Sequence, residues 1–205
     1  MKVIIFGATG TVGRHLVEQA VLAGDEVSAF ARRDKPASNG VHWIQGDVLN
    51  RLVVSEAVAG HDAVFCALGA GRHGGVRSEG TANIIAAMKD NGVRRLICQS
   101  TLGAGDSDGN LTFFWRYFMF GFLLRPAFAD HQAQEKHVRN SGLEWTIVRP
   151  AAFTDGPLTG RYQHGFSGSS PRGLSLKISR ADVAHFMRQQ LATDRYLNAT
   201  PGLSY

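Results

Sequence analysis

Several things are scarce in this chain, and each scarcity excludes something. Two cysteines in 205 residues, Cys66 and Cys98, exclude a disulfide-stapled scaffold, and neither forms a Cys-x-x-Cys motif. Both lie in apolar, strand-like runs and read as small buried side chains. Charged residues are only 19% and hydrophobic ones 44%, which excludes a disordered, self-repelling chain. Long apolar runs are missing. The longest, Tyr117 to Leu124, is closed off by Arg116 and Arg125, well short of the ~18 residues of a membrane span. The opening supplies only Val3-Ile4-Ile5-Phe6 before a glycine, too little for the apolar core of a secretory leader. The expectation is a cytoplasmic protein without a membrane span. No His-x-x-x-His or cysteine cluster offers metal ligands, and His131 and His137 fall on different helix faces. No Gly-x-Ser-x-Gly elbow marks a serine hydrolase.

Lys and Arg number 22 against 17 Asp and Glu, a net charge of +5. The basic residues are scattered, with Arg32-Arg33 and Arg94-Arg95 the longest runs. That is a solvated surface rather than a nucleic-acid stripe. Glycine is plentiful at 24 residues, which points to tight turns and close backbone approaches. Length, the absence of repeats and the absence of a linker all predict one domain over residues 1–205.

Short apolar runs alternate with helical periodicity. Strands are predicted at Val3–Phe6, Val27–Ala31, Val41–Ile44, Asp62–Ala67, Arg95–Gln99, Trp145–Val148 and Leu174–Ile178. Helices are predicted over Val12–Val21, Arg51–Ala59, Thr81–Asn91, His131–Asn140 and Ser179–Leu191. Ser179 and Asp182 fit a capping box that starts the last helix. The alternation predicts a single-domain α/β protein of the Rossmann type, a doubly wound parallel sheet with helices on both faces.

The first strand runs into Gly7-Ala8-Thr9-Gly10-Thr11-Val12-Gly13 and then a helix. Glycines with this spacing, between the first strand and the first helix, let the backbone approach a pyrophosphate. The helix N-terminus then faces the anion. NAD binders usually place an acid at the end of the second strand for the ribose hydroxyls. Here Ala31-Arg32-Arg33 stands there, and an arginine suits the 2′-phosphate of NADP, so NADPH is favoured over NADH. Asp34 follows and leaves NAD open.

These residues, together with Gly46-Asp47-Val48 and Gly142-Leu143-Glu144-Trp145-Thr146-Ile147-Val148-Arg149-Pro150, resemble the atypical short-chain dehydrogenase/reductases. Asp155-Gly156-Pro157-Leu158-Thr159-Gly160-Arg161-Tyr162 and Ile178 to Met187 narrow the match. They resemble the small flavin reductase (biliverdin reductase B) branch and its bacterial relatives, over essentially the whole chain. The resemblance implies that Gly7, Thr9, Gly10, Thr11 and Val12 line the pyrophosphate. It implies that Arg32, beside Arg33, meets the 2′-phosphate, and that Asp47 and Val48 meet the adenine. Ala67, Leu68 and Gly69 would pass under the ribose. Ser100 and Thr101 would lie near the nicotinamide, flanked by Pro150, Ala151, Ala152 and Phe153. Asp47 reads equally as a turn residue ahead of the next helix, and Ser100 and Thr101 as a strand end.

The chain departs from that pattern in two places. The Tyr-x-x-x-Lys pair of alcohol-active relatives is absent, Ala127 and His131 standing in its places. The histidine that follows the proline in the flavin reductase is Ala152 here. Asp130-His131 with Glu135 one turn on could raise an imidazole pKa and supply a proton, or could be a capping aspartate and a surface histidine. Phe113 to Leu124, unusually aromatic, reads as a lid for a planar guest, a dimer or membrane surface, or core packing. Gly69 to Gly75 reads as a loop beside the cofactor. Residues 102–130 and 151–178 would supply the substrate side.

The resulting expectation is an NADPH-dependent oxidoreductase, monomer or homodimer, acting on a small planar acceptor such as a flavin or quinone. Thr101, Ser100 and His131 are the candidate catalytic groups. A non-catalytic redox sensor that reads NAD(P)H is the alternative, with a nucleotide-sugar or isoprenoid-type enzyme behind it.

Overall fold

The computed structural model describes residues 1–33, 40–69, 74–110, 125–167, 171 and 173–205. Strands β1 (Lys2–Phe6), β2 (Glu26–Ala31), β3 (Val41–Gln45), β4 (Ala63–Cys66), β5 (Arg95–Gln99) and β6 (Glu144–Pro150) pair in parallel in the order 3-2-1-4-5-6. This is the doubly wound arrangement that the alternation predicted. Three short strands were not predicted from the sequence. β10 (Gly202–Ser204) extends the sheet parallel to β6, and β8 (Gln163–His164) closes the edge antiparallel to it. β7 (Ala152–Thr154) pairs with β9 (Lys177–Ser179) in a separate ribbon. The strand expected over Leu174–Ile178 is therefore shorter and shifted toward the chain end.

The unbroken apolar runs have a simple cause. Residues of β1 point alternately into two cores, Val3 and Ile5 into one, Ile4 and Phe6 into the other, and all four are inaccessible to solvent. Helices α1 (Gly13–Leu22) and α5 (Arg180–Gln189) cover the first core through Leu16, Val17, Phe186 and Met187. Helices α2 (Arg51–Val58), α3 (Val76–Asp90) and α4 (Arg125–Arg139) cover the second through Val54, Ile84, Met88 and Val138. No helix among the described residues is long and apolar enough to cross a membrane.

Two helices start earlier than their periodicity suggested. α3 begins at Val76, behind Gly75, which carries no cap of its own. Its cap comes from α4: Asp130 accepts from the amides of Arg77 at 3.2 Å and Ser78 at 2.9 Å. Asp130 thus lies inside α4 and caps a neighbour rather than its own helix. α4 begins at Arg125 with Pro126 in its first turn, where a missing N–H costs nothing.

The capping box at α5 is half formed. Ser179 Oγ accepts from the Asp182 amide at 3.0 Å. The Asp182 carboxylate does not return to the Ser179 amide, which donates instead to the Tyr205 hydroxyl. It accepts from the Thr159 and Gly160 amides and from the hydroxyls of Thr159 and Tyr205. Burial pushes its carboxyl up, and these four donors outweigh that and hold it below the usual carboxylate range.

Candidate functional site

The carboxyl ends of β1, β2, β4 and β5 open onto one cavity of about 530 Å³, where ligands of open α/β sheets bind. Its floor is the glycine turn. Gly7 has φ +81, and a Cβ there would run into the Ala67 carbonyl. A Cβ on Gly13 would strike the Gly7 carbonyl, so α1 can approach this closely only as glycine. The N-terminus of α1 has no side-chain cap and no acid in its first turn. Uncapped amides over a cradle that any side chain would fill fit the pyrophosphate of a dinucleotide.

Gly7, Thr9, Gly10, Thr11 and Val12 all line the cavity. So do Arg32 at the end of β2, Val48 before α2, and Ala67, Leu68 and Gly69 after β4. Phe153 lines it too, 37% exposed, with the Arg180 guanidinium 5.3 Å from its ring centre.

Other expected residues are not part of its wall. Arg33 is exposed beside Arg32. Asp47 is exposed, and its Oδ1 accepts from the Leu49 amide at 3.0 Å, the turn reading of that residue. The cap of α2 is Asn50, which accepts from Leu52 and Val53. Thr101 donates to the Leu102 carbonyl, and Leu102 in turn donates to the carbonyl of Pro150. Ser100 is 1% exposed, and its Oγ is buried without a partner. Pro150 ends β6, and Ala151 and Ala152 pass to β7. Asp34 and the aromatic run Phe113 to Leu124 lie outside the described residues, as do residues 70–73 of the glycine-rich loop.

Five wall residues were missed in the sequence: Phe30, Ala31, Val76, Arg77 and Gln99. Phe30 and Ala31 close a strand whose end was recognised, so proximity could have found them. Gln99 likewise ends β5. Arg77 had no local signal.

Behind that wall lies a buried polar cluster. Gln134 donates to Thr81 Oγ1 at 3.0 Å, and the Cys66 thiol lies 3.4 Å from the same hydroxyl. Cys66 and Cys98 are register partners on β4 and β5, and both are free. His131 is 8% exposed with Nδ1 unpartnered. Burial, with Arg77 nearby, pushes its imidazole down to about 3.

The expected pairing of His131 with Glu135 does not form. Glu135 is held by Arg149, with Oε1 to Nε at 2.9 Å and Oε2 to Nη2 at 2.7 Å. Arg149 is wholly buried and also reaches Asp106 at 2.7 Å, in the 3-10 turn Gly105–Asn110. The Arg149 guanidinium takes Glu135 in place of the imidazole because it offers two parallel, permanently charged donors. A neutral His131 therefore supplies no proton near neutral pH. Among the described residues, no three His, Cys, Asp or Glu side chains cluster to hold a metal ion.

Comparison with known proteins agrees with this geometry. The chain matches the family described as NAD(P)H-binding over residues 7–194. It is 31% identical to the UPF0659 protein YMR090W of Saccharomyces cerevisiae, over 93% of this chain and 87% of that protein. It is 30% identical to the (4-alkanoyl-5-oxo-2,5-dihydrofuran-3-yl)methyl phosphate reductase of Streptomyces griseus, over 77% of this chain and 50% of that protein. Its fold is that of a short-chain dehydrogenase/reductase of Veillonella parvula solved in complex with NADP. The TM-score is 0.82 at 20% identity, covering 100% of this chain and 94% of that one. A glycine cradle under an uncapped helix and a family match across almost its full length together make this chain a member of the NAD(P)H-binding family.

Proposed function

We propose that the protein is an NADPH-dependent reductase of a planar acceptor, a flavin or quinone first. The observation that carries this reading is the difference between the two ends of one cavity. At the β2 end stands Arg32, an exposed guanidinium suited to a 2′-phosphate. At the β5 end stands Phe153, an aromatic face suited to stacking on a flat ring. The Streptomyces relative that is named a reductase supports the reaction class.

When bound, the dihydronicotinamide supplies the hydride. The chain's own residues bind and orient. The α1 amides and the glycine turn hold the pyrophosphate, Arg32 holds the 2′-phosphate, and Phe153 keeps the acceptor flat against its partner. No proton donor is required of His131, because a reduced flavin or quinone takes its proton from water.

Anaerobic NADPH oxidation with FMN, FAD, riboflavin and simple quinones tests the reading, beside a direct NADPH titration. Turnover above the protein-free rate supports it. Arg32→Ala is expected to weaken NADPH by about ten-fold or more while leaving NADH unchanged, and equal losses would refute the 2′-phosphate assignment. A second reading, a sensor that binds NAD(P)H without turnover, is favoured by the neutral His131 and by Glu135 being committed to Arg149. Tight NADPH binding with no turnover of any acceptor would select it.

A further inference from the structure

Among the described residues of the cavity wall, Arg77 is the cation with N–H donors that are buried and unused. Its side chain is 12% exposed, and Nε and Nη1 have no hydrogen-bond partner. Asp130 is the counter-charge, yet its nearest oxygen is 3.8 Å from Nη1. Both oxygens of that carboxylate are already taken by the amides of Arg77 and Ser78. Asp130 thus balances the guanidinium without saturating it. The other groups around Arg77 do not take the place of Asp130: His131 is neutral and its Nδ1 makes no bond to the guanidinium, and Cys66 and Cys98 are buried thiols on the adjoining strand ends.

The neighbouring wall is unmet in the same way. Gln99 lines the cavity at 8% exposure with Oε1 buried and unpartnered, and Ser100 Oγ behind it is unpartnered as well. Turned over, the Gln99 amide presents its two N–H donors to the same guest. Buried polar atoms left unpaired are costly, and Arg77 and Gln99, sharing one wall, mark a place that a guest completes.

We infer that Arg77 and Gln99 form an anion subsite at the inner end of the cavity, which takes a carboxylate carried by the planar acceptor. The cofactor's phosphates have their own places. In the sheet order 2-1-4-5, Arg32 stands at the β2 end and the glycine turn follows β1, whereas Arg77 follows β4 and Gln99 ends β5. A guanidinium with unused N–H groups and a counter-charge that does not saturate it suits an anion such as a carboxylate. Phe153 in the same wall supplies the face on which the ring carrying that carboxylate lies. The subsite deepens the reductase reading and rests on the acceptor entering this cavity.

The test uses 2-naphthoate and its neutral isostere 2-naphthamide as ring-shaped probes, titrated into the full-length protein saturated with NADP. The wild type is expected to bind the carboxylate about ten-fold or more tighter than the amide. Arg77→Met is expected to abolish that preference, leaving naphthamide and NADP affinities unchanged. Arg77→Lys is expected to restore part of it, and the thermal midpoints of both variants establish that they are folded. No preference in the wild type would overturn the subsite, as would a preference that survives Arg77→Met. Loss of NADP affinity in the Met variant would assign Arg77 to the cofactor instead and overturn it equally. An Arg77-dependent preference in a protein that reduces no acceptor refutes the reductase reading alone. Turnover of flavins or quinones without the preference refutes the subsite alone.

Discussion

The two halves of the sheet hold their shape by different means. On the side of β1, β2 and α1, the cavity is built from main chain. Gly7 and Gly13 bring the backbone close, α1 has no side-chain cap, and buried side-chain polarity is sparse, such as the pair of His61 with Ser28 at 2.8 Å. On the side of β5, β6 and α4, the cavity is built over buried side-chain polarity. Arg149 is fully enclosed with Glu135, Asp130 reaches across to cap α3, and Thr81, Gln134 and Cys66 are linked beneath. On the proposed reading, the first half takes a ligand part whose chemistry is constant, a pyrophosphate, for which backbone suffices. The second takes the variable part, the acceptor, with side chains that can change without changing the fold.

Breaking the second half should have the largest effect on stability. Arg149→Met leaves the Glu135 carboxylate buried at 4% exposure with only the 3.6 Å contact to Arg139, a loss expected at about 3 kcal/mol in urea unfolding. Arg149→Met combined with Glu135→Leu is expected to recover most of that loss, because an apolar pair of similar volume replaces the ions. A double variant as unstable as the single one would show that Arg149 acts by packing alone.

Breaking the first half should cost binding more than folding. Gly13→Ala drives a methyl group at the Gly7 carbonyl and pushes α1 off the turn. NADPH affinity is expected to fall by about a hundred-fold, some 2.7 kcal/mol, with the far-ultraviolet circular dichroism of the variant unchanged. Retained affinity would mean that the turn is not the pyrophosphate site.

The same contrast explains what was legible in the sequence. Glycine spacing, apolar runs and the end of β2 are local signals, and they pointed to one half of the cavity wall and to the six main strands. The other half depends on partners distant in sequence. Asp130 looks like a local cap because the α3 amides it serves are visible only after folding. His131 and Glu135 share a helix face, but β6 brings Arg149 against that face and takes the carboxylate. Arg77 carried no motif, being one arginine in a helical stretch until burial stripped it of partners. β7, β8 and β10 are too short for any alternation to register: β10 and β8 pair because β6 presents an edge to be extended, and β7 pairs with β9, distant in sequence.

The smallest effect sharpens the comparison through one histidine from each half. His61 and His131 are both buried, and burial lowers both imidazoles. His61 is hydrogen-bonded through both nitrogens, to Ser28 and to the Val58 carbonyl, whereas His131 has an unpartnered Nδ1 and the Arg77 charge beside it. With a folded value of about 3 against an ordinary 6.5, His131 binds its proton more readily in the unfolded chain. Its contribution to stability is therefore complete above pH 6.5 and is lost progressively as pH falls toward 3, at no more than about 1.4 kcal/mol per pH unit. The depressed carboxyls of Asp106 and Asp182 begin to lose theirs only near their ordinary 3.8, so the interval from pH 6.5 to 5 isolates the imidazoles. Unfolding free energies of the wild type and His131→Gln across that interval are expected to converge as pH falls, the wild type losing stability faster. His61→Gln should show the same convergence with a shallower slope. Parallel curves for His131→Gln would mean that its imidazole titrates in the folded protein as it does in the unfolded chain, and would favour it as a proton donor.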